Sequence, residues 1–390
     1  MSYKMRSLIF AWFASLCWIQ WSNDINVLQL ISLLVDKATT KADVVIADRS
    51  LTNEFYMRLE GEIAGQPVVM NLHRDSSEFY GNYYYKGSWL KLSEVNSETK
   101  GTYILSEEGL NPSTSTVFLH LRWTGEGFVG RLTDEGKNKS YALALHETYP
   151  PGSARFTQGF YHKSAKRKKQ DQENLKVEFQ SQYVFPKDLS GRNGWLDGML
   201  RDIQGIDRNL PWASGVAKRG DRNIKMLLSY LPEDPLADGS VNYSNYFDMS
   251  KNTILYNERS FVVLERQFST YVGGAHPHSS STMLCLDLLS QRQLRLSDII
   301  TPDARLSSIL EACFREQYGL KKGQSLTKIL FKTRIQPNDN FFFNDRGLAF
   351  RYNASEIAPY GEGELTVFIP LSKISRFLKP KFLSRLSIKR

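Results

Sequence analysis

From Val44 to His146 apolar and polar residues alternate in short runs: Phe55, Met57, Leu59; Val68, Met70, Leu72; Tyr83, Tyr85; Leu90, Leu92; Val117, Leu119, Leu121; Tyr141, Leu143, Leu145. Period two is the mark of half-buried strands. The turn signals Ala64-Gly65-Gln66-Pro67, Lys86-Gly87-Ser88, Thr124-Gly125-Glu126-Gly127 and Glu135-Gly136-Lys137-Asn138 separate them at hairpin distances. The pattern predicts an all-β antiparallel meander of about seven or eight strands, closed into a barrel so that no edge stays unpaired.

After Leu175 the periods mix. Val177, Phe179 and Tyr183 to Phe185 read as strand, whereas Trp195, Met199 and Ile203 recur at helical spacing, as do Leu306, Ile309, Leu310, Cys313 and Phe314. Further strands are predicted over Lys251–Tyr256, Ser260–Val272, Ser279–Leu288, Asn340–Phe343, Leu348–Tyr352 and Glu364–Ile369. Strand groups around isolated helices argue for an α+β region rather than a regular βαβ alternation. The expected organisation is multidomain: an antiparallel β-domain over 44–148, a basic linker over 149–174, an α+β domain over 175–380 and a basic tail over 381–390.

A chain of 390 residues is long enough for two or three domains, each with its own core. The formal charge of +9 changes the picture less than its size suggests. His162–Gln170 holds five Lys/Arg and Ser372–Arg390 holds seven, none offset by an acid, so the rest of the chain is slightly acidic. Two basic stretches on a nearly neutral body do not make a nucleic-acid footprint, and the basic run lacks interleaved aromatics. No nucleic-acid partner is expected.

Lys4 and Arg6, the apolar run Leu8 to Ile19 and the polar Ser22, Asn23 and Asp24 have the layout of a secretory signal over 1–22, with an apolar run too short to span a bilayer. The expectation is an extracytoplasmic, periplasmic or secreted protein. Cys17 offers a lipid anchor, the only membrane link foreseen, but Leu16 stands where lipobox peptidases take a small residue. Cys285 and Cys313 read as buried apolar residues and not as a disulfide framework.

The search for catalytic motifs returns little. Gly319 to Ser325 lacks the Gly-Lys-Ser/Thr of a P-loop, His146-Glu147 has no second His on a helix, and no Gly-x-Ser-x-Gly occurs. No catalytic group, metal or cofactor is assigned. Two loops stand out instead. In Tyr271-Val272-Gly273-Gly274-Ala275-His276-Pro277-His278 a permissive glycine pair adjoins an aromatic and two imidazoles, which would share one side if the segment were a strand. In Glu356 to Glu364 carboxylates flank Tyr360. Tyr271, Gly273, Gly274, His276, His278, Glu356, Tyr360 and Glu362 are the candidate binding residues, on loops expected to lie side by side. Tyr80, Tyr83, Tyr84, Tyr85 and Trp89 suggest a second, sugar-stacking face.

These segments carry a resemblance. Tyr271 to His276, Leu286-Asp287-Leu288 with Leu294 to Ile299, Phe341 to Leu348, Tyr352-Asn353, Glu356 to Tyr360 and Val367 to Pro370 resemble the extracytoplasmic domain of the RsiV anti-sigma factor, and the same module is similar to the non-catalytic part of PdaC-type peptidoglycan deacetylases. It covers about 175–380. The resemblance implies an α+β domain outside the cytoplasm of a bacterium and, in the RsiV branch, a lysozyme-binding surface. The paired Asp and His-x-x-x-His of a deacetylase are not found in the sequence. The expected function is a non-enzymatic envelope binding protein whose partner is a lysozyme-like protein or an envelope glycan such as peptidoglycan. The alternative is an envelope glycan hydrolase or deacetylase using His276, His278 and Glu356.

Overall fold

The computed structural model describes residues 51–386, apart from 77, 86–87, 96–100, 109–115, 167–175, 232–244, 302 and 304. The expected leader over 1–22, Cys17, the basic run from 167 to 169 and residues 387–390 lie outside the described residues. The strands β1 (Phe55–Ile63), β2 (Gln66–Arg74), β3 (Phe79–Tyr85), β4 (Ser88–Val95), β5 (Thr102–Glu108), β6 (Val117–Trp123), β7 (Gly127–Asp134) and β8 (Lys139–Glu147) run up and down, each antiparallel to the next. β1 pairs with β8, Gly61 opposite Leu145, and the barrel closes. Leu59, Ile63, Met70, Leu72, Leu105, Leu119, Leu121, Phe128 and Leu145 fill its interior, as the period-two pattern requires. Closure bends the strands tightly. A Cβ on Gly61 would fall 1.8 Å from the Ala144 carbonyl oxygen, and one on Gly130 1.8 Å from that of His120, so only glycine allows these neighbours to approach.

The remaining chain packs against this barrel in one compact unit spanning Leu51–Arg390. Its centre is a six-stranded sheet of β9 (Phe156–Lys166), β10 (Lys176–Pro186), β11 (Tyr246–Glu258), β12 (Phe261–Tyr271), β13 (His278–Asp287) and β14 (Arg292–Gln293), in the order β14-β13-β12-β11-β10-β9. β10 and β11 are parallel, and the crossover between them carries α1 (Arg192–Gln204) and α2 (Trp212–Tyr230). A three-stranded sheet of β15 (Phe341–Phe343), β16 (Gly347–Tyr352) and β17 (Leu365–Pro370) forms a third part. It is flanked by α3 (Leu296–Ile299), α4 (Arg305–Gln317), α5 (Leu371–Ile374) and α6 (Pro380–Arg385). Cys285 and Cys313 are buried free thiols within its apolar cluster.

Two expectations are corrected here. Residues 149–174 are not a solvated linker: Phe156–Lys166 is strand β9, whose Gly159 faces Tyr183 of β10 and leaves room for that ring. Nor is 381–390 simply a basic tail. Phe382, Leu383 and Leu386 are buried, and Arg385 donates to Asp287 at 2.7 Å.

The barrel docks on the sheet through polar side chains and not through an apolar seam alone. A register shift between Ile254 and Tyr256 frees main-chain groups of β11 from the ladder. Barrel residues take them up: Asn82 Nδ2 donates to the Ile254 carbonyl at 2.9 Å, Asn71 Nδ2 to that of Leu255 at 3.0 Å, and the Ile254 N–H donates to His73 Nε2 at 3.0 Å. His73 Nδ1 then donates to Gln158 Oε1 at 2.7 Å, which fixes the tautomer. Tyr80 stacks on the imidazole with the rings 5.0 Å apart.

Candidate functional site

A cleft of about 500 Å³ opens on the face of the sheet that looks toward the barrel. Period two explains its floor: Gln180 and Gln182 on β10, Met249 and Lys251 on β11, Gln267 and Ser269 on β12 project to the same face. Ser279 of β13 pairs with Ser269, and their hydroxyls share a hydrogen bond of 2.8 Å. Glu78 from the turn between β2 and β3 forms one wall, and Tyr360, Gly363 and Glu364 form the other. Barrel, central sheet and C-terminal part thus meet here.

The charges around the cleft are neutralised internally. Lys251 Nζ bonds Glu78 Oε1 at 2.9 Å and lies 3.3 Å above the Tyr80 ring. Glu364 accepts from Ser281 Oγ at 2.6 Å and from Arg351 Nη1 at 2.9 Å. The other arm of Arg351 reaches Glu265 Oε1 at 2.8 Å, with both groups almost wholly buried. Burial alone would raise the Glu265 carboxyl, but Lys91 and Arg351 outweigh it and hold the group below the usual carboxylate range. What remains open to a ligand is a floor of amides and hydroxyls set around Met249.

The loops singled out in the sequence come together at the mouth. The rings of His276 and Tyr360 stack at 4.0 Å, and Tyr360 Oη donates to the Pro277 carbonyl at 3.2 Å. Tyr360 lines the cleft and is 41% exposed. Other candidates hold different places. Tyr271 is buried against Tyr246 and Phe247, and its hydroxyl ties down the Gly274 carbonyl at 2.8 Å, so it shapes the loop and does not face a ligand. Gly273 and Gly274 take φ of 101° and 99°, the conformation for which glycine was singled out.

His276 lies in the loop and His278 begins β13, so the strand geometry that would aim both imidazoles one way does not arise. Glu356 accepts from the Asn353 N–H at 2.8 Å and from Asn338 at 3.0 Å; it fastens a turn. Glu362 is exposed on a short 3-10 turn. The proposed sugar-stacking face is also corrected. Tyr83 and Tyr85 point into the barrel, Trp89 packs on Phe342 at 4.9 Å, and Tyr84 packs on Phe368. Among the described residues no three His, Cys, Asp or Glu side chains gather as metal ligands would, and no helix is long and apolar enough to cross a membrane.

Two asparagines have structural work. Ahead of Leu286 the outer edge of β13 pairs with no strand among the described residues, and Asn353 Oδ1 accepts from the Ser281 N–H at 2.7 Å while Asn340 Oδ1 accepts from that of Met283 at 2.8 Å. Their amides thereby bind the C-terminal sheet to the central one.

Fold and site together define a closed up-and-down barrel joined to an α+β region, with an open cleft where the parts meet. Within it, residues 297–372 match the family described as "Protein of unknown function (DUF3298)". This matched segment supplies the Tyr360, Gly363 and Glu364 wall of the cleft, whereas the sheet floor lies before it in the chain. None of the curated proteins matches. A solved DUF3298-family structure from Bacteroides fragilis NCTC 9343 is similar with a TM-score of 0.53 at 19% identity, covering 61% of this chain and 99% of its own. Another from Pseudomonas aeruginosa PAO1 has a TM-score of 0.40 at 15% identity, over 60% of this chain and 97% of its own. At such identity the first likeness is one of fold.

Proposed function

We propose that this is a non-enzymatic binding protein of the bacterial cell envelope and that its ligand enters the cleft beneath Tyr360. One observation carries the reading: the exposed Tyr360 ring sits over a floor of uncharged amides and hydroxyls whose neighbouring charges are already paired. Such a lining suits a neutral, hydroxyl- and amide-rich chain, since a stacked aromatic covers a sugar face while amides bond its edges. An envelope glycan of the peptidoglycan kind is the ligand this favours. A second reading, a lysozyme-like protein, draws on the RsiV-like loops themselves, because the two segments that carry that resemblance are the ones that stack at the mouth.

Binding of soluble peptidoglycan fragments and of lysozyme, measured by calorimetry, tests both. Tyr360→Ala is expected to weaken the true ligand at least tenfold, as an aromatic anchor worth about 2 kcal/mol would, with the thermal midpoint almost unchanged because the ring is exposed. Equal affinity of variant and wild type would remove Tyr360 from the site, and turnover of the fragments would overturn the non-enzymatic reading. For the leader, mass spectrometry of the protein from its native host is expected to find the N-terminus shortened by about 20 residues. An intact Met1 would refute export.

A further inference from the structure

On the opposite, helix-covered face of the sheet lies a polar layer of which only Ser250 also borders the cleft. Asp248, Ser250 and Asn252 follow at period two along β11, and all three are buried. Arg266 of β12 stands directly opposite Asn252, and Arg219 comes down from α2, 8% exposed, with its guanidinium 5.3 Å from the Phe179 ring centre. Part of the layer is satisfied. Asn223 Nδ2 donates to Asp248 Oδ2 at 2.8 Å, Ser250 Oγ to Ser181 Oγ at 3.1 Å, and Asn252 Nδ2 to the Gln182 carbonyl at 2.9 Å.

The remainder is not. Arg219 Nη1, Arg266 Nε and Gln204 Nε2 are buried donors without an acceptor, and Asp248 Oδ1 and Asn252 Oδ1 are buried acceptors without a donor. The nearest approach of Arg219 to Asp248 is 3.9 Å, too long for a hydrogen bond. Two guanidiniums against one carboxylate also leave a positive charge over. Native proteins leave few such groups without a partner, and five of them in one layer call for a solute or water to supply it.

We propose that this layer binds a small carboxylate carrying a hydrogen-bond donor on the adjacent carbon, an α-hydroxy or α-amino acid. Arg219 and Arg266 grip the carboxylate and cancel its charge, while Asp248 and Asn252 accept from the neighbouring hydroxyl or ammonium. Half-buried Arg266 and Asn223 mark the edge through which the solute reaches the layer. Burial already pushes the Asp248 carboxyl above its usual range, as expected of an acceptor short of donors.

The test uses the full chain, dialysed free of carboxylates, and calorimetry with L-lactate, L-alanine and acetate against sodium chloride of equal ionic strength. Saturable binding of lactate or alanine is expected, and which of the two is tighter separates the hydroxy-acid from the amino-acid source. Acetate should be at least tenfold weaker, for want of the donor. Arg266→Gln should weaken the tighter ligand at least tenfold without moving the thermal midpoint, and Tyr360→Ala should leave it unchanged. Acetate binding as tightly as lactate would overturn the roles of Asp248 and Asn252. No saturable heat from any of the acids, or binding indifferent to both Arg266→Gln and Arg219→Gln, would overturn the site and leave the layer to water.

Discussion

Acidification from about pH 7.5 to about pH 4.5 is expected to cost the wild-type fold about 2 to 3 kcal/mol through His73 alone. The imidazole is fully buried at the junction of barrel and sheet, and burial pushes its pKa from 6.5 down to about 4. Above the unfolded value both states hold it neutral, and stability is at its full value. As the pH falls through 6.5 the unfolded chain takes up a proton that the folded one refuses, so the loss grows until the folded group titrates near 4. The refusal has a geometric cause: Nε2 accepts from the Ile254 N–H, and protonation would set two donors face to face. His73→Gln should lose about 1 to 3 kcal/mol at neutral pH, because Gln158 and the junction are left short of a partner. It should lose less than wild type on acidification. Urea unfolding of both proteins at the two pH values measures this. Parallel pH profiles would mean that the junction does not seal His73 from solvent.

His73 also shows how far the sequence could be read. Alternation along Phe55 to Leu145 announced the barrel, because a closed antiparallel sheet imposes period two on every strand and its apolar phase is local information. The outward phase was ambiguous. Tyr80 read as part of a sugar-stacking face and Asn71, His73 and Asn82 drew no reading, but they are the docking surface for β11, and only the register shift at Ile254 shows why amides and an imidazole are wanted there.

Helix α2 has an apolar stripe of Trp212, Val216, Ile224 and Leu227, but its packed side is interrupted by Gly215, Arg219 and Gly220, which blurs the period. A Cβ on Gly220 would meet the Tyr161 ring at 2.6 Å. The mouth of the cleft was legible as two glycine-bearing loops with aromatic and titratable side chains. Its floor was not, because Gln180, Gln267 and Ser279 come from three separate strands and converge only through a parallel crossover and two antiparallel registers. Glu364 was visible only as one carboxylate of the Tyr360 loop, and Arg351 escaped notice for the same reason as the floor. Arg351 sits in a strand pattern, and its grip on Glu265 and Glu364 is a fact of sheet packing.

That pairing sets the largest stability effect expected in the molecule. Arg351 is 3% exposed, Glu265 2%, and one guanidinium holds both Glu265 and Glu364. Arg351→Met should cost about 3 to 5 kcal/mol, since it leaves the buried Glu265 carboxylate with Lys91, at 3.7 Å, as its nearest cation. The sign of the pH response should then invert. In wild type the depressed Glu265 adds stability that is present above the normal carboxylate pKa of 4.5 and lost as pH falls through its lower folded value. In the variant, burial without the guanidinium raises the group, so mild acid neutralises it and recovers part of the loss. Glu265→Gln in the Arg351→Met background should restore about 2 kcal/mol or more at neutral pH, as it removes the stranded charge. Chemical unfolding of the single and double variants closes the cycle, and strict additivity would show that the two groups do not stabilise each other. Because Arg351 also holds the Glu364 wall, the double variant should refold with an uncompensated carboxylate facing the cleft, and the affinity for a neutral glycan should fall even where stability has returned.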